Sequence, residues 1–159
     1  MNGGAIFSPC NRYRYRLHRK WGTESGAVNF VMLNPSTAGG HLDDPTIRRC
    51  IRFAKDWGFD ELIVTNLFAY RTTYPQELKK AEDPWGDQNL SHVLAAALES
   101  KQTVIAWGAH GGFLGADQKV LNRLKSPRIN IVHLGLTKQR HPKHPLYLPA
   151  NTPRIEFTG

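Results

Sequence analysis

Four apolar runs in this chain end in small polar residues, and those ends carry most of the side chains that could do chemistry. The first covers residues 31–40, where Met32 and Leu33 give way to Asn34, Pro35, Ser36 and Thr37. Proline removes a backbone donor where a chain leaves a sheet, and the Asn34 amide can both donate and accept. It could hold a water, a base edge, or its own loop through an Asx-type bond. Asp43 and Asp44 follow closely. Asp44 before Pro45 suits a helix cap, which leaves Asp43 as the candidate general base or metal carboxylate.

The second run, residues 63–71, carries Asn66, Phe68 and Arg71. An Asn inside a buried strand needs its hydrogen bonds satisfied, and an Arg just beyond it is placed for phosphate or carboxylate. Phe68 or Tyr70 could stack on a planar base or lie in the core. The third run, residues 104–110, brings Trp107, Gly108 and His110. Glycine permits close backbone approach, and His110 can donate or act as an acid near neutral pH. Gly108, Gly111 and Gly112 match neither the Walker phosphate loop nor the dinucleotide fingerprint.

The fourth run, residues 131–144, passes Lys138 and leads through Lys143 and His144 to Pro145 and Tyr147. His141 and His144, joined by His133 or His110, have the residue types of a zinc site. The intervening prolines break helical spacing and no acidic partner lies near in sequence, so no metal is assigned. There is no Gly-x-Ser-x-Gly elbow and no cysteine with an obvious activating partner. Covalent acyl chemistry is thereby disfavoured, leaving binding or water-mediated hydrolysis. No cofactor is implied.

These ends need strands to hold them. Residues 28–33, 62–68, 103–107 and 129–134 read as buried strands. Helical patterns separate them. Asp44 and Pro45 open a helix whose stripe is Ile47, Cys50, Ile51, Ala54 and Trp57, ended by Gly58. Residues 75–81 make a short helix. Asp83 and Pro84 start a longer one with Leu90, Val93, Leu94, Ala97 and Leu98 inward, and residues 116–124 make a fourth. Strands alternating with helices require right-handed crossovers and a parallel sheet covered on both faces. The expectation is one α/β domain over residues 1–159: a three-layer sandwich around a mainly parallel four-stranded sheet. Arg12, Tyr13, Arg14, Tyr15, Arg16 and Leu17 alternate as an N-terminal edge strand or hairpin arm with an arginine-lined wet face. The tail from residue 135 is expected to cross the C-terminal edge of the sheet.

The chain has 159 residues, 21 Lys and Arg against 13 Asp and Glu, and a formal net charge of +8. That excess suits a phosphate-rich partner, nucleic acid or nucleotide, with Arg48, Arg49, Arg52, Lys138 and Lys143 as candidate contacts. It also suits an inert soluble surface. Two cysteines rule out a disulfide framework or a four-cysteine metal site within one chain. No run reaches membrane-spanning length and no secretory leader is visible, which reads as a cytoplasmic protein, with a monomer favoured.

Residues 32–38, 43–50, 66–71, 106–111 and 144–148 together resemble an uncharacterised bacterial and phage family, domain of unknown function 1643. A looser likeness is to uracil-DNA glycosylases, in which a strand ends in a short proline-bearing motif, a later strand in a base-reading Asn, and a late loop in His-Pro. Here the order is Asn34 and Pro35, then Asn66 with Arg71, then Trp107 and Gly108, then His144 and Pro145. That resemblance implies a glycosylase-like sandwich. In it Asn34 orients water, Asn66 reads a base edge and His144 steadies charge developing on the base. Three readings stay open: an N-glycosidic hydrolase acting on a nucleobase, a non-catalytic nucleic-acid or nucleotide module, and an enzyme or sensor for an anionic small molecule.

Overall fold

The computed structural model describes residues 1–159. The elements are β1 (Asn2–Phe7), β2 (Arg14–Lys20), β3 (Ala27–Met32), α1 (Pro45–Asp56), β4 (Glu61–Asn66), α2 (Pro75–Lys80), α3 (Asn89–Glu99), β5 (Gln102–Ile105), α4 (Ala116–Arg123), β6 (Ile131–His133) and β7 (Ile155–Glu156). They form an α/β fold on one mixed, seven-stranded sheet of order β1-β2-β4-β3-β5-β6-β7. β3 pairs in parallel with β4 on one side and β5 on the other, and β5 in parallel with β6. β1, β2 and β7 run antiparallel at the two flanks. The sheet is therefore larger than the expected four-stranded sheet with its N-terminal edge strand or hairpin arm. β1 holds two glycines and no alternation, and β7 is only two residues long, so neither carries a local strand signal.

Side chains alternate across β3 because successive Cβ atoms point to opposite faces. Val28, Phe30 and Met32 join Leu62, Val64 and Val104 against Ile47, Cys50, Phe53 and Ala54 of α1. Val31, Leu33 and Ile105 face the other way, against Leu78 of α2, Val93 and Ala97 of α3 and Val120 and Leu121 of α4. Helix α1 starts as its sequence requires: the Asp44 carboxylate accepts from the Ile47 N–H at 2.9 Å, and Pro45 occupies the first turn. Gly58 follows with φ of +85°, the left-handed turn that ends it.

Helix α3 begins later than expected. Asp83 accepts from the Trp85 N–H at 3.1 Å, and Gly86 sits at φ +78°. A Cβ on Gly86 would lie 2.9 Å from the Tyr15 ring, so the chain stays in turns until Asn89. Leu98, expected inward, is largely exposed.

Strand β2 breaks its own alternation. Ile6 pairs with Arg16 and Phe7 with Arg14, which makes Tyr15 the extra residue of a β-bulge. Tyr15 and Arg16 then share the α3 face, where Tyr15 stacks on His92 at 5.2 Å and Arg16 binds Glu99 at 2.7 Å. Arg14 is turned to the opposite face and buried at 2 % exposure, donating to the Ala38 carbonyl at 3.0 Å. Arg12, Arg14 and Arg16 thus do not share a wet face.

Burial holds the His92 and His133 imidazoles below the ordinary histidine pKa of 6.5. Just below that value the unfolded chain takes up protons that the folded chain resists. Their contribution to stability is therefore present above it and lost as pH falls through the depressed values. Thermal melts at pH 7 and pH 5 are expected to show this loss. His92→Phe, which keeps a ring against Tyr15, should shrink it; an unchanged drop would clear His92 of any part in it.

Candidate functional site

The loops after β3 and β5 leave the sheet in opposite directions, one toward α1 and the other toward α4. Adjacent parallel strands that part in this way open a crevice at their C-terminal ends. A cavity of about 550 Å³ lies there. Asn34, Pro35, Ser36 and Thr37 line it from β3, Asn66 from β4, Trp107, Gly108 and His110 from β5, and His144 from the tail. Asn34 and His144, 110 positions apart in the chain, thus meet on one concavity.

Other expected site residues lie elsewhere. Phe68 is fully buried between Trp85 and Phe113, ring centroids 4.8 and 5.6 Å away, so it is core and cannot stack on a ligand. Asp43 is bound to Arg19 at 2.9 Å outside the lining, and Asp44 takes its place as the cavity carboxylate while also capping α1. Arg71 lies in a neighbouring groove. Arg52 is paired with Asp56 at 3.2 Å, Arg49 lies over the Phe53 ring at 5.1 Å, and Arg48 donates to the Asp43 carbonyl at 3.2 Å. Lys138, Lys143 and Tyr147 are exposed, and Pro145 is buried; none of the four lines the cavity.

The deepest residues are the most informative. Asn66 is 1 % exposed, and both its amide nitrogen and its amide oxygen are buried without a hydrogen-bond partner. Its backbone is fixed from the far face, where Asn89 Nδ2 donates to the Asn66 carbonyl at 2.7 Å and to that of Leu67 at 3.2 Å. Trp107 Nε1 is likewise buried and unpaired. Gly111 is required here, since a Cβ on it would overlap the Trp107 ring. Arg14 adds a third unpaired donor, Nε, and forms no ion pair. Desolvation lowers its pKa to about 10, against a smaller opposing pull from Asp44, so the guanidinium remains charged at neutral pH. The alternation of Arg12, Arg14 and Arg16 hid this residue; the bulge opposite Ile6 puts it out of phase with Arg16.

Asn34 has a definite job. Its Nδ2 donates to the carbonyls of Thr72 at 2.7 Å, Pro35 at 3.1 Å and Tyr70 at 3.4 Å, stapling the β3 loop to the β4 loop. Oδ1 accepts nothing from the protein. At the lip, His144 Nδ1 accepts from the Leu146 N–H at 3.2 Å, which leaves the proton of the neutral ring on Nε2. His144 is solvent-exposed, yet the surrounding walls desolvate it and press its pKa below the usual histidine range, outweighing the pull of Asp44. The tail is hung in place by Gly108, whose N–H donates to the Pro142 carbonyl at 2.8 Å.

The chain is thus an α/β domain with a cavity at the parting of its parallel strands, floored by unpaired polar atoms. The chain belongs to the family described as protein of unknown function (DUF1643), whose sequence model matches residues 14–146. Arg14 and Leu146, the outermost cavity residues in sequence, are also the ends of that match. No curated protein and no solved structure matches the chain. The likeness to uracil-DNA glycosylases therefore rests on motif order alone. No helix is long and apolar enough to cross a membrane.

Asn34→Asp puts a carboxylate where three carbonyl oxygens now receive an amide donor. The expected result is destabilisation by about 1–3 kcal/mol, the penalty for a lost donor beside unpaired acceptors. Urea unfolding of the two proteins measures it. A variant as stable as the parent would mean the staple contributes nothing.

Proposed function

We propose that this domain takes a nucleobase, as part of a nucleotide or nucleic acid, into the cavity at the ends of β3, β4 and β5. The observation that carries this reading is the Asn66 amide, buried at the floor with its donor and its acceptor both unpaired. An unpaired buried polar group costs free energy, so a ligand that completes both bonds is favoured. A carboxamide offering one donor and one acceptor matches the adjacent acceptor and donor on a base edge. Trp107 Nε1 supplies a further donor, and Met32, Leu33, Ile47 and Leu146 supply apolar wall for a flat ring. The cavity volume lies within the span usual for small-ligand sites.

Hydrolysis of the N-glycosidic bond is a second reading, favoured by the placement of Asp44, Asn34 and His144 around one cavity. In it, Asn34 Oδ1 or the Asp44 carboxylate positions water. The Nε2 proton of neutral His144 and the charged Arg14 steady the anion left on the departing base.

Calorimetric titration with the nucleosides of the four DNA bases and of uracil tests the first reading. Asn66→Leu, close to Asn in shape, should weaken binding by roughly 5- to 150-fold, the factor matching about 1–3 kcal/mol for a bidentate base contact. The unliganded variant should melt at the same temperature or higher, because it no longer buries an unpaired amide. Equal affinity in both proteins would overturn the assignment. Release of free base from oligonucleotides carrying uracil, mismatches or damaged bases tests the second reading. Binding without release leaves a non-catalytic module.

A further inference from the structure

We infer that the groove beside this cavity is a phosphate subsite, which makes the ligand a phosphorylated nucleoside unit and not a free base. The inference rests on the nucleobase reading for what fills the first cavity, and on separate residues for the second. The groove, about 530 Å³, lies where the start of β2 meets the loops after β3 and β4. Two arginines, Arg12 and Arg71, line it, and no carboxylate does.

Arg71 is held in place and still has donors to spend. Its Nη1 donates to the Asn11 carbonyl at 3.0 Å, and its guanidinium carbon lies 4.7 Å from the centre of the Phe7 ring. Nε is buried with no partner. Arg12 is exposed and takes part in none of the ion pairs Arg16–Glu99, Arg19–Asp43 and Arg52–Asp56. The two are tied through the backbone, where the Arg71 N–H donates to the Arg12 carbonyl at 2.9 Å. Both guanidiniums therefore spring from one fixed junction.

The wall between groove and cavity is made of short hydroxyl side chains. Ser36, Thr37, Thr72 and Thr73 line both. The Ser36 and Thr73 hydroxyls are 3.1 Å apart, so one donates to the other and the second proton is left to point at a ligand. Two guanidinium forks and a hydroxyl donor offer more hydrogen bonds than a carboxylate with two oxygens can accept. A phosphate, with its several oxygens, fits the set. A base held by Asn66 on one side of this wall and a phosphate held by Arg12 and Arg71 on the other are the two ends of one nucleotide unit. A free 5′-nucleotide and a phosphodiester strand both present that chemistry.

The test is calorimetric titration with four probes: the nucleosides used above, their 5′-mononucleotides, inorganic phosphate and a short single-stranded oligonucleotide. Wild type should bind a mononucleotide at least tenfold more tightly than its nucleoside. The double variant Arg12→Gln/Arg71→Met should lose that gain while keeping its nucleoside affinity. Arg12→Gln alone, at an exposed residue, should keep the wild-type melting temperature and lose part of the gain, so the inference survives a double variant that folds poorly. Oligonucleotide bound more tightly than mononucleotide would identify the strand as the source of the phosphate, and the reverse order the free nucleotide. Equal affinity for nucleoside and nucleotide, or a gain that persists in both variants, would overturn the subsite. Phosphate binding that the variants abolish, with no nucleoside binding at all, would remove the nucleobase reading and leave the phosphate subsite standing.

Discussion

Strand β3 sits between β4 and β5, parallel to both, and this placement governs everything at the cavity end of the molecule. A parallel strand cannot turn back on its neighbour, so its loop must travel to a covering helix, and neighbours whose loops part cannot close over the gap. The cavity is the geometric remainder of that topology. Its walls are irregular loops, which have no ladder to bond their backbones. Side chains do the bonding instead. Arg14 and Arg19 reach from β2 to the carbonyls of Ala38, Gly39 and Leu42, Asn34 reaches to Thr72, and Asn89 to Asn66. Bonds from a charged donor contribute about 1.5–3 kcal/mol each. The two buried arginines are thus the chief means of fixing a long loop that contains no regular structure.

Against that thorough bonding, the atoms left over stand out. Among the buried side-chain atoms without partners are those of Arg14, Asn66 and Trp107, all three of which line one cavity. A chain that satisfies its loop carbonyls with such care and leaves a carboxamide bare at the cavity floor is less stable than an apolar replacement would make it. Such a concession is the kind expected at functional or strained sites, and the proposed nucleobase would complete the bonding here.

Much of this was legible in the residues. The Asp44 and Pro45 helix start, the Gly58 stop and the short helix at Pro75 follow from local stereochemistry, and the structure has them. The ends of the apolar runs point to a rim shared by Asn34, Asn66, Trp107 and His144, and one cavity has all four in its lining. What failed was set by distant contacts. Phe68 could stack on a ligand or lie in the core by its sequence, and Trp85 and Phe113, far along the chain, decide for the core. Asp44 reads as the cap beside Pro45 and Asp43 as the carboxylate free for the cleft, but Arg19 on another strand draws Asp43 away. Arg14 was hidden because a period of two is a rule about regular strands. The extra residue that breaks it is visible only once β1 lies alongside.

That extra residue has a genetic corollary. With Tyr15 present, the two ends of β2 are out of phase, and the bulge is what lets Arg14 and Leu17, three positions apart, face the same side of the sheet. Loss of the single codon at Tyr15 would restore plain alternation with Arg14 still opposite Phe7 and still turned inward, and would remove the ring that stacks on His92. A one-residue deletion at the bulge should therefore spare the buried guanidinium, whereas exchange of Arg14 itself would remove it.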